Sequence, residues 1–188
     1  MTTIEELNKT MSQCKKCDLW ENRKNCVVGS GNVNADIMII GEQPGGVDDS
    51  NGKPFIGKVG DILDDILLSI KILRKDIYLT NLLKCKPSKR KAHIHEMSNC
   101  APYISKQIEI INPKIICCLG SFTMDKIMRK YGLLNKMQPI SKIHGKVFKV
   151  TTITGPIKII PLYHPAVGIY LPSMIEVMKE DIKVLSNV

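Results

Sequence analysis

Four short runs of apolar residues along the chain predict buried β-strands. The runs are nearly continuous in Ile, Leu and Val and do not alternate with polar residues, which is typical of parallel strands covered on both faces. The predicted strands are residues 35–42, 77–83, 114–120 and 158–164. A hairpin with its turn at Gly155-Pro156 is expected to lead into the last of them.

Between these runs, apolar residues recur at helical spacing, as at positions 62, 63, 66, 67 and 70. The predicted helices are residues 60–73, 96–111, 121–131 and 173–185. Alternation of strands and helices predicts an α/β protein, specifically a three-layer α/β/α fold with a central, mainly parallel four-stranded sheet. The length of 188 residues suits a single domain that spans residues 1–188.

Ligands of such sheets bind at the carboxyl ends of the strands. Here those ends read GEQPG, TNLLKC, LGS and YHPA, and three of the four carry polar residues of catalytic type. The sequence therefore predicts a functional site at this edge of the sheet.

Composition and charge narrow the class of protein. Hydrophobic residues make up 44% and charged residues 24% of the chain, as in globular proteins. No apolar run approaches the roughly 18 residues that cross a bilayer, and the first residues do not resemble a secretory signal. We therefore expect a cytoplasmic protein without a membrane partner. A net charge of +9 favours a polyanion as partner, although an ordinary basic surface is the alternative.

The segment 41–60 contains six glycines and is close to a phosphate-binding P-loop. Val59 stands where that loop requires Ser or Thr, and Pro54 removes one backbone N–H. We interpret the segment instead as a wall that lets backbone approach a flat ligand, with the Phe55 ring lying against that ligand.

Seven cysteines in a reducing compartment argue against a disulfide framework. Cys14 and Cys17 form a Cys-x-x-Cys pair, and Cys85 and Cys100 could complete a tetrathiolate site. Spacing alone leaves zinc and an iron–sulfur cluster open. Cys117, together with its neighbour Cys118, lies in an apolar run and is interpreted as a core residue, whereas the role of Cys26 stays open.

Taken together and in order, these motifs closely resemble the iron–sulfur uracil-DNA glycosylases, family 4 of that superfamily. The matching segments are GEQPG and GKPFIGKVG, TNLLKC, the spacing of the four cysteines, and HPA at 164–166. The resemblance implies a [4Fe–4S] cluster on Cys14, Cys17, Cys85 and Cys100. It also implies an enzyme of base excision repair that hydrolyses the N-glycosidic bond of uracil in single- or double-stranded DNA and leaves an abasic site.

The resemblance places Glu42, Phe55, Asn81 and His164 at active-site positions. Such enzymes act on a base flipped out of the stack, and Phe55 is expected to stack on it. The Asn81 amide would accept from uracil N3–H and donate to O4, a pattern that cytosine reverses. His164 would donate to O2 as negative charge develops there, and Glu42 would stabilise the sugar cation and orient water.

Two further residues of the first loop are expected to contact the substrate. Gln43 stands where the family motif has Ala, and Asp48 is a candidate for rejecting the 5-methyl edge of thymine.

DNA contacts are expected from a basic tract and from an apolar wedge. The tract KCKPSKRK supplies Lys84, Lys86, Lys89, Arg90 and Lys91. It lies between two of the expected cluster ligands, so we interpret the cluster as a staple for this segment. The wedge that fills the gap left by the flipped base is expected at Val167 and Ile169.

Three alternatives remain at the level of sequence. The first is a non-catalytic DNA-binding or polymerase-accessory protein of the same fold, and the second is an iron–sulfur electron carrier. The third is a relative in which a loop histidine, here His93 or His95, traps DNA covalently. For the glycosylase we expect a nucleoid-associated monomer, with a sliding clamp as a candidate partner.

Overall fold

A computed structural model describes residues 2–88 and 91–187 of the chain. Within these residues the strands form one six-stranded sheet. The strands are β1 (Ser30–Gly31), β2 (Ile37–Gly41), β3 (Tyr78–Asn81), β4 (Ile115–Leu119), β5 (Phe148–Thr152) and β6 (Gly155–Leu162). Their order across the sheet is β1-β3-β2-β4-β6-β5.

The predicted α/β class and its parallel core are confirmed, but the described sheet is larger than the predicted four strands. β3, β2, β4 and β6 are mutually parallel and correspond to the four predicted strands. β1 and β5 pair antiparallel at the two edges. Neither edge strand has a continuous apolar run: β1 has two residues, and the exposure of β5 alternates along its length.

The hairpin between β5 and β6 turns two residues earlier than predicted. Thr152 pairs with Gly155, so Ile153 and Thr154 form the turn, and Gly155-Pro156 begins β6. Pro156 can occupy this strand because the strand end needs no ladder N–H from it.

Helices cover both faces of the sheet. They are α1 (Ile4–Ser12), α2 (Leu19–Asn22), α3 (Gly46–Asn51), α4 (Lys58–Leu68), α5 (Ile94–Ile111), α6 (Ser121–Lys130), α7 (Ile140–Ile143), α8 (Val167–Tyr170) and α9 (Met174–Ile182). Short 3-10 turns lie at Arg74–Asp76, Leu134–Lys136 and Lys183–Asn187.

Alternate side chains of each parallel strand enter two different cores. Ile40 of β2 and Cys118 of β4 belong to the core that includes residues of α1, α5 and α6. Ile39 and Cys117 belong to the opposite core, formed with α4 and α9. This explains why the strands are mainly apolar on both faces, with polar exceptions such as Thr80 of β3, and why Cys117 and Cys118 are fully buried. Their interpretation as core residues is confirmed.

Local geometry explains where two helices differ from the prediction. α4 ends at Leu68, before the predicted residue 73, because Lys71 adopts a left-handed conformation with φ of 60°. α5 begins two residues before the predicted start because the Glu96 carboxylate accepts the His93 backbone N–H at 2.6 Å. Among the described residues, none of the helices combines the length and apolar content that a bilayer-spanning segment needs.

Candidate active site and cysteine site

The parallel strands bring three predicted site residues to one edge of the sheet. Gly41, the last residue of β2, is the cross-strand partner of Asn81, the last residue of β3. His164 follows β6 by two residues. Glu42 begins the loop after β2, and its backbone carbonyl accepts the Leu83 N–H at 3.0 Å. The carboxyl ends of β2, β3 and β6 therefore place these residues at the same edge of the sheet.

The side chains of Asn81 and Phe55 both lie close to the Cα atom of Gly41. A Cβ atom at Gly41 would lie 2.4 Å from Asn81 Oδ1 and 2.7 Å from Phe55 Cζ. Only glycine therefore allows both side chains to occupy these positions. The Phe55 ring also lies beside His164, with 6.3 Å between ring centroids and an interplanar angle of 39°.

The amide of Asn81 is buried without a hydrogen-bond partner. Its residue is 1% exposed, and neither Oδ1 nor Nδ2 has a partner within residues 2–88 and 91–187. An unpaired buried donor or acceptor costs about 1–3 kcal/mol, so folded proteins rarely retain one without a reason. A ligand that offers both a donor and an acceptor would satisfy this amide.

The backbone of Phe55 is held in an unusual conformation. Its φ is 56°, in the left-handed region that bulky residues seldom adopt. Arg74 Nη2 donates to the Phe55 carbonyl at 2.6 Å, while Arg74 Nε donates to Asp64 at 2.6 Å. A Cβ atom at Gly60 would lie only 2.0 Å from the same carbonyl. Arg74 and Gly60 together fix the position of the ring.

Asp48 braces the glycine-rich loop from inside. The residue is 7% exposed, its Oδ2 accepts the Gly45 N–H at 3.0 Å, and its Oδ1 accepts the Ile56 N–H at 2.8 Å. This bracing was not predicted, and contact with the 5-methyl edge of a base stays a prediction. Gln43 is half-buried in the same loop.

His164 is arranged as a neutral hydrogen-bond donor. Its Nδ1 accepts the Ala166 backbone N–H at 3.2 Å, which leaves the proton of the neutral ring on Nε2. Burial lowers the pKa of the imidazole, against the opposing charge of Asp48. The ring is therefore able to donate from Nε2 without carrying a full charge.

Glu42 is a half-buried carboxylate with a perturbed pKa. Burial raises the pKa of Glu42, and the positive charge of Lys91 opposes this shift. A carboxylate held at a strand end in this way is a candidate acid, base or electrostatic stabiliser.

The four cysteines of the predicted cluster line one cavity, shared with apolar side chains such as Leu19 and Tyr103. Cys14 follows α1, Cys17 precedes α2, Cys85 follows β3, and Cys100 lies in α5. No three His, Cys, Asp or Glu side chains in the described part of the chain are placed to hold a single metal ion. A [4Fe–4S] core binds each thiolate through a different iron, so it calls for sulfurs around a cavity. Four thiols around one cavity are the kind of donor set that such a cluster needs.

Two residues that sequence reasoning missed or left open contact the Cys85 sulfur. Cys26 and Arg23 lower the pKa of the Cys85 thiol to about 6 by hydrogen bonding, and Arg23 Nη1 lies 3.1 Å from the sulfur. The hydrogen bond with Cys85 and burial raise the pKa of Cys26. Cys85 is therefore the thiol of this pair that favours the thiolate form.

The basic tract does not lie wholly on the surface. Lys84 is 2% exposed and its ammonium is fully engaged inside the protein, so its predicted contact with DNA phosphates is wrong. Lys86 is half-buried, and Lys91 is exposed. Lys89 and Arg90 lie outside the described residues.

The segment after His164 presents apolar side chains at its end. Val167 is half-buried and packs against the α4–α9 core, whereas Ile169 is 39% exposed. Tyr170 is 86% and Leu171 52% exposed, and neither was predicted. Their signal in the sequence was an apolar pair directly before Pro172. At the start of α5, the exposed His93 and His95 rings stack with centroids 5.6 Å apart.

These features agree with the comparison to known proteins. The chain belongs to the Uracil DNA glycosylase superfamily, whose family model matches residues 28–183. It is 37% identical over 184 residues to a Type-4 uracil-DNA glycosylase of Archaeoglobus fulgidus, covering 97% of this chain and 92% of that protein. The family suggested by the sequence motifs is confirmed.

Two further relatives carry the same name. A Type-4 uracil-DNA glycosylase of Saccharolobus solfataricus is 38% identical over 97% of this chain and 85% of its own length. One of Sulfurisphaera tokodaii is 37% identical over 97% of this chain and 83% of its own length.

We expect His164 to be neutral near neutral pH, with its proton on Nε2, because burial lowers its pKa and Ala166 occupies Nδ1. A lowered pKa means that the folded state binds fewer protons, so His164 should reduce stability as the pH falls below about 6.5. Proton–nitrogen correlation NMR across a pH series would measure the pKa of His164 and show which ring nitrogen carries the proton. The variant His164→Gln would identify the His164 signal. A cationic ring at neutral pH would contradict the assignment.

Proposed function

We propose that this protein removes uracil from DNA by hydrolysing its N-glycosidic bond, leaving an abasic site for repair. The observation that carries the proposal is the buried Asn81 amide, which is unpartnered among the described residues and lies close to Gly41, as does the Phe55 ring. The names of the relatives point to the same reaction.

Uracil recognition follows from the two unsatisfied atoms of Asn81. Its Oδ1 would accept from uracil N3–H and its Nδ2 would donate to O4, which removes both desolvation penalties at once. Cytosine offers an acceptor and a donor in the opposite order, so both atoms would stay unpaired in this orientation of the amide. Phe55 supplies the stacking surface that the base loses on leaving the duplex, worth about 1–3 kcal/mol.

Bond cleavage develops negative charge on uracil and positive charge on the sugar. The Nε2–H of His164 is suited to stabilise the uracil anion at O2, because a neutral donor need not lose a proton to the leaving group. Glu42 would stabilise the sugar cation and orient the attacking water. Gln43 and Asp48 complete the wall of the base site, Asp48 chiefly by holding the loop.

We further propose that Cys14, Cys17, Cys85 and Cys100 bind a [4Fe–4S] cluster. The shared cavity supports this ligand set. The lowered pKa of the Cys85 thiol favours the thiolate that binds iron, whereas burial raises the pKa of the Cys17 and Cys100 thiols. When bound, the cluster supplies iron–thiolate bonds that fasten the N-terminal segment to the segment after β3 and to α5. It need not change oxidation state for the proposed hydrolysis.

DNA would be held by the basic segment after Cys85 and by the apolar end of α8. Lys86, Lys89, Arg90 and Lys91 are the proposed phosphate contacts, and buried Lys84 is excluded from that set. Ile169 remains the proposed wedge, with Tyr170 and Leu171 now beside it as exposed apolar groups, while Val167 would support the wedge from the core.

Incubation with single- and double-stranded DNA carrying one uracil, followed by alkali, tests the activity. We expect strand breakage at the uracil, and a loss of about a hundredfold in kcat/KM for Asn81→Ala with little loss of fold. Asn34→Ala removes an exposed amide near the opposite edge of the sheet and should retain activity. Uncut DNA with the unaltered protein would overturn the proposal, and a covalent adduct would favour the trapping alternative.

Substitution of one proposed cluster ligand tests the cysteine site. Cys85→Ser should abolish the visible absorbance and the bound iron and sulfide, and should lower the melting temperature, because one thiolate is missing. Cys117→Ala, which changes a core thiol, should retain the cluster. A cluster that survives Cys85→Ser would show that another thiol, such as the neighbouring Cys26, serves as the fourth ligand.

Charge removal in the basic segment tests the proposed DNA contact. The triple variant Lys89→Gln, Arg90→Gln, Lys91→Gln should make binding less salt-dependent, by about 0.9 in the log–log slope for each duplex phosphate that is no longer neutralised. Lys114→Gln removes an exposed charge at the start of β4 and should leave the slope unchanged. Equal slopes in the triple variant and the unaltered protein would place the phosphate contacts elsewhere.

A further inference from the structure

Lys84 is a buried cation in the middle of a basic tract. It is 2% exposed, and its Nζ donates to Thr80 Oγ1 at 2.7 Å, to Gln107 Oε1 at 2.7 Å and to the backbone carbonyl of Asn81. An ammonium has three N–H donors, and these three acceptors use all of them. Burial of a charged lysine is tolerated only when it is compensated in this way.

The network continues into the sheet and α5. Gln107 Nε2 donates to the Val28 carbonyl at 2.6 Å and approaches the Tyr78 hydroxyl at 3.3 Å. Thr80 Oγ1 also donates to the Val28 carbonyl at 3.1 Å. Lys84 is therefore anchored to rigid elements on two sides, and the position of its ammonium is fixed.

One end of this network is the cysteine site. Lys84 directly precedes Cys85 and lines the same cavity as the four cysteines. Burial lowers the pKa of the Lys84 ammonium to about 8, and the nearby sulfurs of Cys100, Cys26 and Cys85 oppose that shift. Negative thiolates at this site would compensate part of the cost of burying the ammonium.

The other end is the base site. The carbonyl that Lys84 holds belongs to Asn81, whose own side chain is buried and unpartnered in the described structure. Rotation of that peptide would move the amide away from the Phe55 ring and the Gly41 backbone. Small displacements of a recognition group cost large factors in catalysis.

We propose that Lys84 is a positioning residue that ties uracil recognition by Asn81 to the cysteine site. It would do so by fixing the Asn81 peptide while its own backbone is held next to Cys85. This inference rests on the proposed uracil-DNA glycosylase activity and deepens it.

A double-mutant cycle between Lys84 and Asn81 tests the link. Lys84→Met keeps roughly the length of the side chain and removes the donors. We expect kcat/KM on uracil-containing DNA to fall about tenfold, and the affinity for free uracil to fall by the same factor, when both are normalised to the protein that carries a cluster. In the Asn81→Ala background, Lys84→Met should lower the remaining kcat/KM by less than about twofold, because the group that Lys84 positions is absent. Additive losses would overturn the proposal.

Controls separate positioning from general destabilisation. Met128→Ala creates a cavity in the core that includes residues of α1, α5 and α6, without changing the hydrogen bonds of Lys84. It should lower the melting temperature without weakening uracil binding. Equal weakening of uracil binding by Met128→Ala would overturn the specific role of Lys84. If Lys84→Met does not fold, Thr80→Val removes one acceptor with little change of shape and should couple to Asn81 in the same sense, by about threefold.

Measuring uracil release by the unaltered protein separates a failure of the proposed activity from a failure of the proposed role of Lys84. If it does not release uracil, the proposed activity is wrong and the role of Lys84 falls with it. If it releases uracil but the Lys84 cycle is additive, only the link between the two sites is wrong.

Discussion

The parallel register between β2 and β3 is the constraint on which the site depends. It makes Gly41 and Asn81 cross-strand partners, so that the amide leaves its strand beside the start of the glycine-rich loop. The bare Cα of Gly41 then leaves room for Asn81 and Phe55 together. A register shift of one residue would turn Asn81 to the opposite face of the sheet and separate it from both. The parallel pairing of β4 and β6 brings His164 to the same edge.

Much of this arrangement could be predicted because it rests on short-range patterns. Strands buried on both faces are apolar at nearly every position, and β2, β3, β4 and β6 were predicted for that reason. The carboxyl ends of parallel strands share one edge, so the polar residues after three of them were expected to converge. Helix ends were less accurate, since they depend on single conformations such as the left-handed Lys71.

Long-range contacts decided what the sequence could not reveal. A basic tract predicts exposure, yet Lys84 is buried because Gln107, from a helix far along the chain, accepts a hydrogen bond from its ammonium. Arg74 lies in an ordinary polar turn, and its importance comes only from the Phe55 carbonyl it reaches. The contacts of Arg23 and Cys26 with Cys85 likewise join distant segments. The two-residue β1 has no apolar signal of its own.

The left-handed backbone at Phe55 carries a cost that the rest of the loop must offset. A bulky residue in this conformation loses about 1–2 kcal/mol relative to glycine, and Arg74 and Asp48 hold the loop against that strain. Glycine at this position would relax the chain but remove the aromatic surface. The protein thus trades some thermodynamic stability for a rigid platform that is already in place when a base arrives, so that little ordering entropy remains to oppose binding.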